Sequence, residues 1–248
     1  MSGHSKWHNI QVKKGAADAK RSSLFTKLSR NITMAAKELG KDLDTNFKLR
    51  MAVDKAKAMS MPKDTIEKAI KKGTGELNDG TVMEGVMYEV FGPEGSAILV
   101  ETITDNRNRT LTNLKVIMSK NSGNLAAANS VSWMFVRRGV ALVLTSAFDS
   151  MSADDRELFL IGAGAENIEY LEIDGAAHVK ITVLVEDMNS FRAALEGKKI
   201  AIKEFNIEYI AKEKITISPS AMQSLGALLE ALDNEDDVDN LYINVDFS

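Results

Sequence analysis

Seven cations, Lys6, Lys13, Lys14, Lys20, Arg21, Lys27 and Arg30, lie in the first 30 residues, interleaved with His4, Trp7 and His8 and opposed by one acid, Asp18. Cations so spaced can neutralise phosphates and release their counterions, which gives affinity without reading sequence. An aromatic ring among them can stack on an unpaired base. It can equally fold back as an apolar clamp on its own domain, and the sequence leaves both roles for Trp7 open. His4 and His8 would share a helical face at i, i+4, but no third ligand lies near them, so no metal site is expected.

A second constellation is the stretch DNRNRT at 105–110. It falls where a strand-like run passes into a helical one, so Arg107 and Arg109 would sit in a first helical turn, where the dipole prefers anions. A phosphate or carboxylate bound at that helix start would explain them. Pairing with Glu101 or Asp105 is the structural alternative. Sites of other kinds fail on context. IGAGAEN ends a helix instead of following a strand, unlike a dinucleotide loop. DNEDDVDN (233–240) has Val238 and Asn244 where a calcium loop needs Gly and Glu, and reads as a solvated turn. His178 stands alone in a strand and reads as structural. With no nucleophile elbow or phosphate loop either, the expectation is a protein that is not an enzyme and needs no cofactor.

The elements that must carry these residues follow from periodicity. From Ala16, Leu24, Leu28, Ile32, Ala35 and Leu39 share one helical face, and Gly40 closes the helix. Asn46 caps a second helix with Leu49, Val53 and Ala56 inward. Pro62 opens a third, PKDTIEKAIKKG, with Gly73 as its stop. GTGELNDG (73–80) is a Gly-rich hinge, after which the period becomes that of strands. VMYEVFG and SAILVETIT are joined by the turn GPEG and followed by a helix from Asn106. The order strand, helix (152–163), strand (167–173), strand (178–185), helix (188–197), strand (202–211) is the split βαβ, or ferredoxin-like, pattern. A last helix (219–232) and strand (240–246) complete the earlier strands. The fold class expected is therefore α+β in three domains. A basic helical domain with its arm (1–75) precedes two α+β (split βαβ) domains. The first takes 80–138 plus 206–248, and the second, 139–205, is inserted in it.

Charge divides along the same line. Residues 1–75 hold 17 Lys and Arg against 7 Asp and Glu; from chain totals of 31 and 35, the remainder holds 14 against 28. A basic module that meets a polyanion, followed by an acidic remainder that does not, is the natural reading. There is no cysteine, no secretory signal and no apolar run long enough for a bilayer, so a cytoplasmic protein without membrane contact is expected.

GHSKW, DAKR, FTKLSR, MPKDTIEKAI, KGTG, GPEG, DNRNRT and SV…F…RRG stand in the order and spacing of the YebC/PmpR family, which the chain resembles over nearly its whole length. The resemblance implies a helical domain and two α+β domains, and a cytoplasmic location in bacteria. Members are known as DNA-binding transcriptional regulators, and others look like translation factors acting on ribosomes stalled at difficult sequences. The nucleic-acid partner implied is thus rRNA or tRNA, with the ribosome, or promoter DNA. Leu39-Gly40, Leu43, Val90-Phe91, Ser122 and Ala126 depart from the usual pattern but leave the basic residues in place. The third helix carries Asp64 and Glu67 where DNA phosphates would approach, and the first offers few Asn or Gln for base edges, so RNA is the partner preferred over DNA.

Overall fold

The structure, a computed structural model, describes residues 17–77, 80, 82–173 and 175–247. It is a mixture of helices with two four-stranded antiparallel sheets. The described chain divides into two compact units. One takes in the residues up to Trp133 together with Ile215–Val245, and the other is built on Met134–Lys214.

The first unit opens with three helices: α1 (Ala17–Leu39), α2 (Phe47–Ala58) and α3 (Lys63–Gly73). Leu28, Ile32, Ala35 and Ala36 recur at helical spacing on α1 and pack against Leu49, Val53 and Ala56 of α2 and Ile66 and Ala69 of α3. Each large apolar side chain withdrawn from water here contributes about 1.5–3 kcal/mol. Asn46 does more than cap α2. Its Oδ1 accepts from the Leu49 amide at 2.9 Å, and its Nδ2 donates to the carbonyls of Ala35 and Gly40, at 2.8 and 2.7 Å, tying the end of α1 to the start of α2.

Gly73 ends α3 as expected, though not as its left-handed residue. It is the last residue of α3, and the left-handed turn falls at Gly75 (φ +76°). Gly73 is needed for the close approach of α3 to α1. A Cβ there would lie 2.3 Å from the Thr33 carbonyl oxygen and 2.7 Å from the Ala36 Cβ. Gly73→Ala is therefore expected to destabilise the protein by about 1–3 kcal/mol, the usual range for overpacking, read from the urea unfolding midpoint. Gly75→Ala strains only the turn and should cost less.

The same unit continues with β1 (Glu84–Phe91), β2 (Ala97–Thr104), α4 (Arg107–Lys120) and the short β3 (Asn124–Leu125). After the second unit it is completed by α7 (Pro219–Asp233) and β8 (Val238–Ile243). Its strand order is β3-β1-β2-β8, centred on the β1–β2 hairpin. Strand β2 is buried along nearly its whole length, and α7 closes one face through Leu225, Leu228, Leu229 and Leu232.

The second unit runs β4 (Phe135–Leu144), α5 (Ala153–Gly162), β5 (Ala165–Ile173), β6 (Ala176–Val183), α6 (Met188–Gly197) and β7 (Ile202–Ala211). The order β5-β6-β4-β7 is that of a split βαβ sheet. Ladder pairing extends from Phe135↔Ala211 to Val143↔Ile202. Residues 135–138 and 206–211, expected in the first α+β domain, thus pair in the second sheet, because β4 runs on through Gly139 and β7 pairs with it on both sides of that residue. His178 is buried in β6, its Nδ1 2.8 Å from the Ala176 carbonyl oxygen and its Nε2 3.1 Å from the Lys203 ammonium. Nothing about it calls for a ligand.

Candidate nucleic-acid interface

His4, Lys6, Trp7, Lys13 and Lys14 lie outside the described residues. Lys20 and Arg21 fall within the first turns of α1. The remaining candidates, Lys27, Arg30, Arg107 and Arg109, are all placed, and all four meet carboxylates of the chain itself.

Lys27 and Arg30 lie one turn apart on α1 and face the turn between α7 and β8. The Lys27 ammonium is 3.4 Å from the Asp233 carboxylate. The Arg30 guanidinium is 2.8 Å from Asp237 and also donates to the Asp236 carbonyl. On either side, the Ser23 hydroxyl donates to Asp236 at 2.8 Å and the Asn31 amide to Asp239 at 2.7 Å. One face of α1 is thus docked on the acidic stretch DNEDDVDN. That stretch was expected to be a solvated turn. The structure corrects this: Asp237 is only 2 % exposed.

Asp237 is a hub. Besides Arg30 it accepts from Arg109 Nη2, at 3.0 Å to each oxygen, from the Thr110 hydroxyl at 2.6 Å and from the Thr104 hydroxyl at 3.3 Å. A buried carboxylate requires this number of partners, since a lone ion there would be costly. The hydrogen bonds to Asp237 hold the Arg109 pKa above its ordinary value. Asp239 behaves differently. Burial pushes its carboxyl above the usual range, against the hydrogen bond from Asn31, and the nearby Glu101 charge pushes the same way.

At the start of α4 the anion site expected from Arg107 and Arg109 is already filled from within. Asn106 Oδ1 accepts from the amides of Asn108 and Arg109, both at 3.1 Å. Arg107 forms a two-point pair with Glu84, at 2.5 and 2.7 Å, which draws the Glu84 carboxyl below its ordinary pKa. Arg109 binds Asp105 at 2.8 Å as well as Asp237. The Asp105 alternative is realised, whereas Glu101 instead accepts from Asn240 and Tyr242, at 3.0 and 2.8 Å.

The two arginines therefore separate in expected cost. Arg107→Ala removes an exposed pair and should change stability by less than about 1 kcal/mol. Arg109→Ala strips a donor from a buried carboxylate and should cost about 1–3 kcal/mol. Denaturant unfolding of the two single variants checks the difference. Equal, small losses would show that Asp237 does not depend on Arg109.

Glu84 and Asp237, the partners that decide what these cations do, carry no signal in sequence spacing. The only hint is compositional, five acids in eight residues (233–240) in a chain whose first domain is basic.

The chain matches two family models: the TACO1/YebC N-terminal domain over residues 5–76, and the TACO1/YebC second and third domain over 83–245. It is 44 % identical over 250 residues to a probable transcriptional regulatory protein of Prosthecochloris aestuarii, covering 100 % of this chain and 96 % of that one. A protein of the same description from Kosmotoga olearia is 43 % identical over 244 residues, covering 98 % of this chain and 94 % of that one. Among solved structures, a conserved hypothetical protein from Aquifex aeolicus superposes with a TM-score of 0.79 at 34 % identity, over 96 % of each chain. Matched along both its helical and its α+β parts, the chain belongs to the TACO1/YebC family.

Proposed function

We propose that this protein is a gene-expression regulator that works by binding nucleic acid, as an RNA- or ribosome-associated translation factor that helps stalled ribosomes, with no catalytic centre of its own. The observation that carries the reading is the segregation of charge, 17 cations against 7 acids in residues 1–75 of a net-negative chain. Docking on the acidic turn neutralises Lys27 and Arg30, while Lys55, Lys68 and Lys71 of the same domain remain exposed. The arm adds Lys6, Lys13 and Lys14 ahead of α1. A sequence-reading DNA helix is disfavoured, since Asp64 and Glu67 stand exposed at the start of α3. The relatives' description as probable transcriptional regulatory proteins supports a second reading, a DNA-binding transcriptional regulator.

Sedimentation with ribosomes separates the two. The expected result is co-sedimentation that nuclease treatment releases. A protein that stays in the supernatant with intact ribosomes, yet retards promoter DNA in a gel at the same salt, would establish the second reading instead. No described helix is long and apolar enough to cross a membrane.

A further inference from the structure

Residues 121–136 contain no charged side chain, in a chain of which 27 % is charged. The stretch runs from the end of α4 through β3 to the start of β4, and much of it is exposed. At its end Trp133 is 62 % exposed, an unusual position for the largest apolar side chain.

The ring is not loose. Its Nε1–H donates to the Ser130 carbonyl at 2.9 Å. The loop before it is gathered by one carboxylate: Glu89 of β1 accepts from the amides of Asn129, Val131 and Ser132, at 2.7, 2.5 and 2.9 Å. Burial alone would push the Glu89 carboxyl up, but these three amides together hold it below its ordinary pKa. Asn129 takes the left-handed conformation (φ +65°) that lets the loop turn around it. β3 pairs with β1 alongside, Val90 opposite Leu125.

This is the composition of an interface core, depleted of charge and carrying a fixed aromatic anchor whose ordering cost is already met. The occupant follows from what is exposed. The indole has spent its only hydrogen-bond donor inside the loop and offers π faces alone. Trp133 and Leu125 are the large apolar groups exposed in the stretch, too little to cover with a protein partner of ordinary size. One base covers one indole face. Lys120, exposed at the end of α4 just before the stretch, supplies a cation for a flanking phosphate.

We propose that Trp133 is a stacking platform for an unpaired RNA base, positioned by Glu89. The proposal rests on the nucleic-acid reading above and adds a contact point outside the basic domain.

Trp7 and Trp133 are the two tryptophans, so a Trp7→Phe background isolates the emission of Trp133. The probes are a 12-nucleotide single-stranded RNA without self-complementarity and a fully paired 12-base-pair RNA duplex. The expected result is quenching by the single strand and little change with the duplex. Trp133→Ala should weaken single-strand binding roughly 5- to 150-fold and duplex binding less than about twofold. Trp133→Phe keeps a ring face but not the bond to Ser130, so it should restore most of the affinity. Equal losses on both RNAs, or none on either, overturn the stacking role. Loss with Phe as great as with Ala makes Trp133 a loop strut and also overturns it. If Lys13→Glu with Lys14→Glu abolishes binding while Trp133→Ala is silent, the proposal fails and the nucleic-acid reading stands. A wild-type protein that binds neither RNA overturns both.

Discussion

Asp237→Ala should lower the stability of the protein by about 3 kcal/mol or more, because removing one member of a buried ionic cluster leaves the others without compensation. For a chain of this size that is a fall in unfolding midpoint of roughly 6–12 °C. Four side chains lose the same buried acceptor at once: Arg30, Arg109, Thr104 and Thr110. Arg30 is the member that reaches across from the helical domain, so its loss should not add to that of Asp237. Arg30→Ala in the Asp237→Ala background should cost much less than in wild type, and the difference measures the coupling across the domain contact. Thermal unfolding of the two single variants and the double variant reads all three quantities. A loss under about 1 kcal/mol for Asp237→Ala, or strict additivity, would reduce the hub to a set of independent contacts.

The second large effect concerns the cations ahead of that contact. With about five phosphates neutralised, log K should fall against log salt with a slope of about −3.5 on single strands. Reversing Lys13, Lys14, Lys20 and Arg21 to Glu should flatten that slope by several units and reduce affinity on every sequence alike. A filter-binding titration at four salt concentrations measures it. If the reversals leave slope and affinity unchanged, the arm has no part in binding, and a protein adaptor becomes the better account. Lys27 and Arg30 are excluded from this set, since their variants would disturb the docking of α1 on the acidic turn before reporting on RNA.

The contrast between these groups shows what sequence could and could not convey. Helices α1 to α3 are legible because Leu28, Ile32, Leu49, Val53 and Ile66 recur at the helical period and because Asn46 and Pro62 mark helix starts. These are local signals, and the structure keeps them. The split βαβ order of the second sheet is legible for the same reason, as a succession of periods. The partners of Arg30 are not. Asp237 lies 207 residues further along the chain (|30 − 237|), and no local pattern distinguishes an acidic turn in water from one covered by a helix. Reading DNEDDVDN as solvated followed the composition correctly and missed the tertiary contact. The start of α4 makes the same point at short range. Arg107 and Arg109 signal that an anion is needed there, and Glu84, Asp105 and Asp237 supply it; of these, sequence spacing offered only Asp105, as the alternative to a bound phosphate or carboxylate.

The position of the acidic turn also sets an order of assembly. A chain emerging from the ribosome can form α1 to α3 early, since their core is complete by Gly73. The second sheet can follow as soon as β7 is made, and its ends are drawn together by the Phe135↔Ala211 pair and by the Lys212 amide on the Met134 carbonyl at 2.9 Å. That closure shortens the loop separating the two halves of the first sheet and lowers the entropy cost of joining them. Asp233, Asp236 and Asp237 are made after all of this. Until they are, Lys27 and Arg30 lack the carboxylates they meet in the finished chain, so a nascent or C-terminally truncated chain presents that face of α1 uncovered, and only the finished chain docks it.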